Sequence, residues 1–127
     1  MRGCAAVLEA QQRLRDSFGR KGEEFAGIIK VGRTQLQDAV PIFLGQEFDA
    51  FAETIDEDII QLRKAMELMR EMNLGGTAIG TGLNAPEGFS VGACRHLSAI
   101  SRLEMVLARN LVEATSDTER LCPFRAR

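Results

Sequence analysis

Val31-Gly32-Arg33-Thr34-Gln35-Leu36-Gln37-Asp38-Ala39-Val40-Pro41 separates two long helical patterns, and its reading decides the fold. Thr34 offers a hydroxyl, and Gln35 and Gln37 each offer an amide with donors and an acceptor. Arg33 and Asp38 supply one charge of each sign. Val31, Leu36, Ala39 and Val40 are apolar, so the segment lacks the composition of a disordered linker. Two readings stand side by side: a well-satisfied turn, which spacing alone favours, and a site that grips a small anion.

Upstream, Val7, Leu8, Leu14, Phe18, Phe25, Ile28 and Ile29 fall at helical intervals. They predict an amphipathic helix from Val7 to about Ile29, weakened at Gly19 and Gly22 and stopped by Gly32. Downstream, Pro41 fits the first turn of a second helix. Phe48, Ile55, Leu62 and Met69 recur every seven residues there, with Ala52, Ile59 and Met66 in a second row. The two rows predict one apolar seam along a helix reaching about Met72. Phe51, Ile60 and Leu68 lie off that seam, which predicts burial on several faces and a bundle larger than this chain. Glu53, Asp56, Glu57 and Asp58 read as a solvated face.

Leu74-Gly75-Gly76-Thr77-Ala78-Ile79-Gly80-Thr81-Gly82-Leu83-Asn84 is a second non-helical stretch. It is not a P-loop, because no Lys-Ser/Thr follows the glycines and no strand is expected before them. Its default reading is a tight turn between helices. Pro86 then opens a shorter helix through about Ser101, and Asn110 is placed to cap a last one starting at Leu111. Strand signal is poor throughout, and the fold class is all-α.

The chain has 127 residues, enough for one domain with a small core. A net charge of -2 argues against a nucleic-acid surface. No apolar run approaches the roughly 18 residues of a membrane span. Three cysteines, Cys4, Cys94 and Cys122, are poor material for a disulfide framework and suit a reducing cytoplasm. Cys94 and His96 form at most half a zinc site, so they read as a semi-buried thiol and a surface or capping imidazole. Neither metal nor cofactor is expected.

These motifs carry a family resemblance. Gly32 to Pro41, then Leu44-Gly45-Gln46-Glu47-Phe48, then Gly75 to Asn84 resemble the central domain of the aspartase/fumarase superfamily. Leu111-Val112-Glu113-Ala114-Thr115-Ser116-Asp117 and the pair Thr34-Gln35 are more similar to aspartate ammonia-lyases than to fumarases, which carry Thr-His. The resemblance spans roughly residues 7–118. It implies a long-helix bundle, a homotetramer, and cofactor-free removal of ammonia from L-aspartate to give fumarate. It also implies that Thr34 and Gln35 bind the dicarboxylate, while Gln37, Asp38 and Asn84 hold their loops in shape.

In that family the site is assembled from three regions, and this chain matches the middle one. The upstream Ser-Ser/Thr-Asn segment and the downstream Gly-Ser-Ser loop, whose serine acts as base, have no counterpart here. No catalytic residue is therefore assigned, and the isolated chain is expected to be inactive. A catalytically silent helical association module and a fumarate hydratase fragment are the alternatives. Residues 1–118 are read as a partial central helical-bundle domain, and residues 119–127 as a tail unrelated to the family. Restoring one G before the Glu119 codon allows the tail to be reread as Gly-Ala-Phe-Val-Pro-Phe-Ser-Gly-Thr-Leu, so the tail is read as out of frame.

Overall fold

The computed structural model describes residues 2–116, and the tail expected from residue 119 onward lies outside them. In chain order the elements are α1 (Arg2–Glu24), β1 (Ile29–Thr34), β2 (Gln37–Phe43), α2 (Leu44–Leu68), β3 (Glu71–Met72), α3 (Phe89–Ser101), β4 (Val106–Leu107) and α4 (Leu111–Ser116). Helices carry the fold, as expected. The chain divides into two compact units, Met1–Arg63 and Lys64–Arg127.

In the first unit, α1 stops at Glu24, not at the expected Ile29. Phe25-Ala26-Gly27 forms a turn, and the β-branched Ile28, Ile29 and Val31 continue in extended backbone, which suits their restricted χ1. Gly32 stops nothing. It is buried in β1 beside a bulge, where Val31 pairs with Pro41 but Arg33 pairs with Asp38. Pro41 likewise opens no helix. It sits within β2, and a two-stranded hairpin has only edges, where a missing N–H is tolerated.

Helix α2 begins at Leu44 with the Gln46 side chain reaching back, its Oε1 accepting from Phe43 N at 3.0 Å. This is half of a capping box. Leu44 N donates to Ile28 O at 2.7 Å and Gly45 N to Phe25 O at 3.1 Å, fastening the start of α2 to the end of α1. Gly45 makes that closure possible. A Cβ there would lie 2.9 Å from Ala26 Cα and 3.0 Å from Ala26 N, closer than side chains approach backbone.

The predicted seam meets α1 through aromatic rings. Phe48 packs edge-on to Phe25 at 5.1 Å between centroids, and Phe18 lies 5.6 Å from Phe51 and 6.0 Å from Phe48. Such pairs contribute about 0.5–1.5 kcal/mol each beyond their buried area. Ile59, one of the second row, is the most buried large side chain among the described residues, at 1% exposure. Arg15 closes the far end of the contact, donating to Asp56 Oδ1 at 2.7 Å and to Asp16 Oδ1 at 2.8 and 3.0 Å. The bonds to Asp56 and then Asp16 raise an already high guanidinium pKa, so this group stays charged. Off the seam, Phe51 and Ile60 remain exposed within this chain.

In the second unit, α2 ends at Leu68, short of Met72, and the chain turns into β3. Strands β3 and β4 are parallel and minimal, pairing Glu71 with Val106 and Met72 with Leu107. Pro86 starts a turn, not a helix: its carbonyl accepts from Phe89 N at 3.1 Å, and α3 follows from Phe89. Ser98 Oγ donates to Cys94 O at 3.0 Å and accepts from Met105 N at 3.0 Å, tying α3 to the approach to β4. Cys94 is buried, with Sγ 3.3 Å from Met105 O, while His96 is exposed. Asn110 caps α4 as expected, its Oδ1 accepting from Val112 N at 3.0 Å and Glu113 N at 3.2 Å.

Candidate functional site

The deciding stretch folds as a tight β-hairpin, which poor strand signal had left unpredicted. Thr34 pairs with Gln37, so Gln35 and Leu36 alone make the turn. Both take positive φ, 50° and 63°. That handedness matches the type I′ turns that join twisted strands, where Asn-Gly is the usual sequence. Each non-glycine residue in this region costs roughly 1–2 kcal/mol. Without Asn-Gly the hairpin lacks its usual sequence signal, and the cost marks the turn as a place where side chains matter more than comfort.

Thr34 and Gln35 are both exposed at this tip. Among the described residues, the side chains of Thr34, Gln35 and Gln37 take part in no hydrogen bond. A hydroxyl and an amide therefore stand adjacent with donors free. Asp38 Oδ1 accepts from Arg33 Nε at 2.9 Å directly across the neck of the turn. Reading the sequence missed Arg33 as that partner. Its signal was the opposite charges at Arg33 and Asp38, on either side of a four-residue Thr34–Gln37 turn.

Asn84 belongs to the second unit. It is exposed, with φ 65°, and contributes a left-handed backbone position to its loop. Ahead of it, Gly82 N donates to Gly76 O at 2.8 Å and Ala85 N to Gly82 O at 2.9 Å. Gly80, at φ 94°, rests against the first turn of α4: a Cβ there would strike the backbone of Leu111 and Val112. Asn73 Nδ2 reaches Thr115 Oγ1 at 3.4 Å from the other side. The loop is thus shaped by backbone contacts, and no side-chain bond of Asn84 takes part among the described residues.

Among the described residues no three His, Cys, Asp or Glu side chains gather as a metal site. None of the described helices is long and apolar enough to cross a membrane. What the hairpin tip offers is neutral hydrogen-bond donation beside a paired charge, suited to carboxylate oxygens.

A family model described as lyase matches residues 2–126, and the chain belongs to this family, that of the aspartases and fumarases. It is 54% identical over 116 residues to an aspartate ammonia-lyase from Pseudomonas aeruginosa, covering 91% of this chain and 24% of that enzyme. Among solved structures, a fumarate lyase:delta crystallin from Brucella melitensis, bound to cobalt, superposes with TM-score 0.82 at 52% identity, over 95% of this chain and 26% of that one. A class II fumarase from Schistosoma mansoni gives TM-score 0.78 at 29% identity, over 92% and 28%. The chain spans about a quarter of the length of the curated relatives it matches.

Proposed function

We propose that this chain is the middle segment of an aspartate ammonia-lyase, which converts L-aspartate to fumarate and ammonia. The observation that carries the reading is the exposed Thr34-Gln35 tip, held in a costly left-handed turn within a chain 54% identical to such an enzyme. Loss of the Cβ proton places extra negative charge on the neighbouring carboxylate. Donors aimed at those oxygens lower the barrier, because they bind the charge that develops in the transition state more strongly than the ground state. Thr34 Oγ1 and Gln35 Nε2 fill that part. Gln35 is a binder only, since an amide does not titrate near neutral pH. Asp38, through Arg33, and the Gln37 and Asn84 backbones keep the loops in shape.

The proton-removing base comes from outside this segment, so the isolated chain is silent. In the complete enzyme the substrates are L-aspartate and fumarate, and the α1–α2 helices assemble with further copies as a homotetramer in the cytoplasm. No metal or cofactor takes part. Residues 1–118 form a partial central helical-bundle domain of that enzyme.

Transplanting the 116 matched residues into the Pseudomonas aeruginosa enzyme tests this directly. The chimera forms fumarate from L-aspartate, and Thr34→Ala or Gln35→Ala lowers turnover roughly 100- to 1,000-fold. A folded chimera that is inactive, or indifferent to both substitutions, refutes the assignment. A chimera that instead hydrates fumarate favours the fumarase reading. Turnover of L-aspartate by the purified 127-residue chain alone overturns the silent-fragment view.

A further inference from the structure

We infer that Lys30 is a positioning residue: its ammonium, held by Glu47, fixes the tilt of the β1–β2 hairpin on helix α2 and so places the Thr34-Gln35 tip. The inference rests on the substrate-binding role proposed above for that tip. Lys30 Nζ donates to Glu47 Oε2 at 2.6 Å, from the base of β1 to the first turn of α2. The two side chains are 34% and 35% exposed, about half as open as Arg33 and Asp38 at 72% and 70%. A pair partly withdrawn from water is screened less by salt than one on the open surface.

Nothing else does this work among the described residues. Strand β2 runs into α2 with no residue between Phe43 and Leu44, so the hairpin leaves the helix on a single joint. Leu44 N and Gly45 N donate to Ile28 O and Phe25 O, but both bonds lie behind Lys30 and fasten only the root of the ribbon. Toward the tip, among the described residues, no hydrogen bond or ion pair of residues 31–42 reaches α1 or α2. Gly32, two positions on from Lys30, offers no side chain for a second clip. A two-stranded ribbon has little stability of its own, so its direction depends on what braces its base. Gln35 lies roughly 17 Å beyond Lys30 along an extended strand, and a tilt of about 5° at the base moves the tip by about 1.5 Å. A misplacement of about 1 Å, caused far from the chemistry, can cost on the order of 100-fold in rate. The pair therefore acts on geometry, and its loss is expected to show in kcat before it shows in folding.

The chimera described above tests the role, with circular dichroism confirming the fold of each variant. Lys30→Met keeps the aliphatic stem and removes the charge. It is expected to lower kcat roughly 10- to 100-fold and to change KM less than about threefold, because the displaced donors serve the transition state. Glu47→Gln does the same, and the two together cost no more than either alone, the mark of one shared contact. Lys30→Arg keeps the cation and retains most of kcat. A second readout needs no activity: the chain has no tryptophan, so Leu36→Trp places a single emitter at the hairpin tip. In the full 127-residue chain, adding Lys30→Met is expected to roughly double the amplitude of nanosecond tip motion in time-resolved anisotropy. If the chimera is active and loses turnover with Thr34→Ala, yet Lys30→Met leaves kcat intact or adds to Glu47→Gln, the positioning role is overturned while the substrate-binding role of the tip stands. If the chimera is inactive, the substrate-binding reading fails by itself and the anisotropy decides the clip. Tip motion unchanged by Lys30→Met overturns it, and increased motion sustains it.

Discussion

Arg33 and Asp38 face one another across the neck of the hairpin turn, Nε to Oδ1 at 2.9 Å, with both side chains about 70% exposed. An ion pair this wet stabilises little. Arg33→Ala is expected to cost less than about 1 kcal/mol in urea unfolding, an effect that high salt erases. A larger loss would mean that the pair holds more of the fold than its exposure allows.

The turn itself is the next target. Replacing Gln35-Leu36 with the residues a type I′ turn prefers, Gln35→Asn with Leu36→Gly, removes most of the left-handed cost. Glycine's own backbone entropy offsets part of the gain. The net expectation is a stabilisation of about 1 kcal/mol, read from the unfolding midpoint. In the active chimera the same change lowers turnover, because the amide at position 35 is shortened.

Gly45→Ala pits two effects against each other. Alanine improves helix propensity by at most about 1 kcal/mol. Its Cβ, however, meets the backbone of Gly22 and Ala26, which has no rotamer to yield. The clash wins, with a net loss of roughly 1–3 kcal/mol. Thermal melting that shows alanine neutral here would mean that the α1–α2 closure is looser than described.

Ser98→Ala removes the acceptor for Met105 N and leaves a partly buried donor without a partner. The expected cost is about 1–3 kcal/mol. Hydrogen exchange at the Met105 amide reads it locally and should accelerate well before the global fold is affected. Cys94 Sγ still reaches Met105 O, so the segment is loosened without being released.

How much of this was legible in the sequence depended on which force set each element. The seven-residue recurrence from Phe48 to Met69 reported a helix because one face of it is buried, and Ile59 and Phe48 prove to lie on that face. Asn110 announced its cap because short polar side chains satisfy helix N–H groups locally. The hairpin was silent for three reasons. Its turn lacks Asn-Gly, its outward apolar face mimics the periodicity of a helix end at Ile28 and Ile29, and Pro41 reads as a helix start. Thr34 and Gln35 were named from family motifs. Their exposed, adjacent position needed the register of β1 against β2, which no local preference encodes. Leu36 reads in the sequence only as one of the segment's apolar residues, since a leucine is ordinarily expected inside, yet it stands almost fully exposed at the tip.

Gly80 has a wider meaning. With its backbone pressed on Leu111 and Val112, the glycine-rich loop and the final short helix share a single mechanical joint. Neither can shift without displacing the other, so a displacement of the short helix carries directly into the geometry of the loop that bears Asn84.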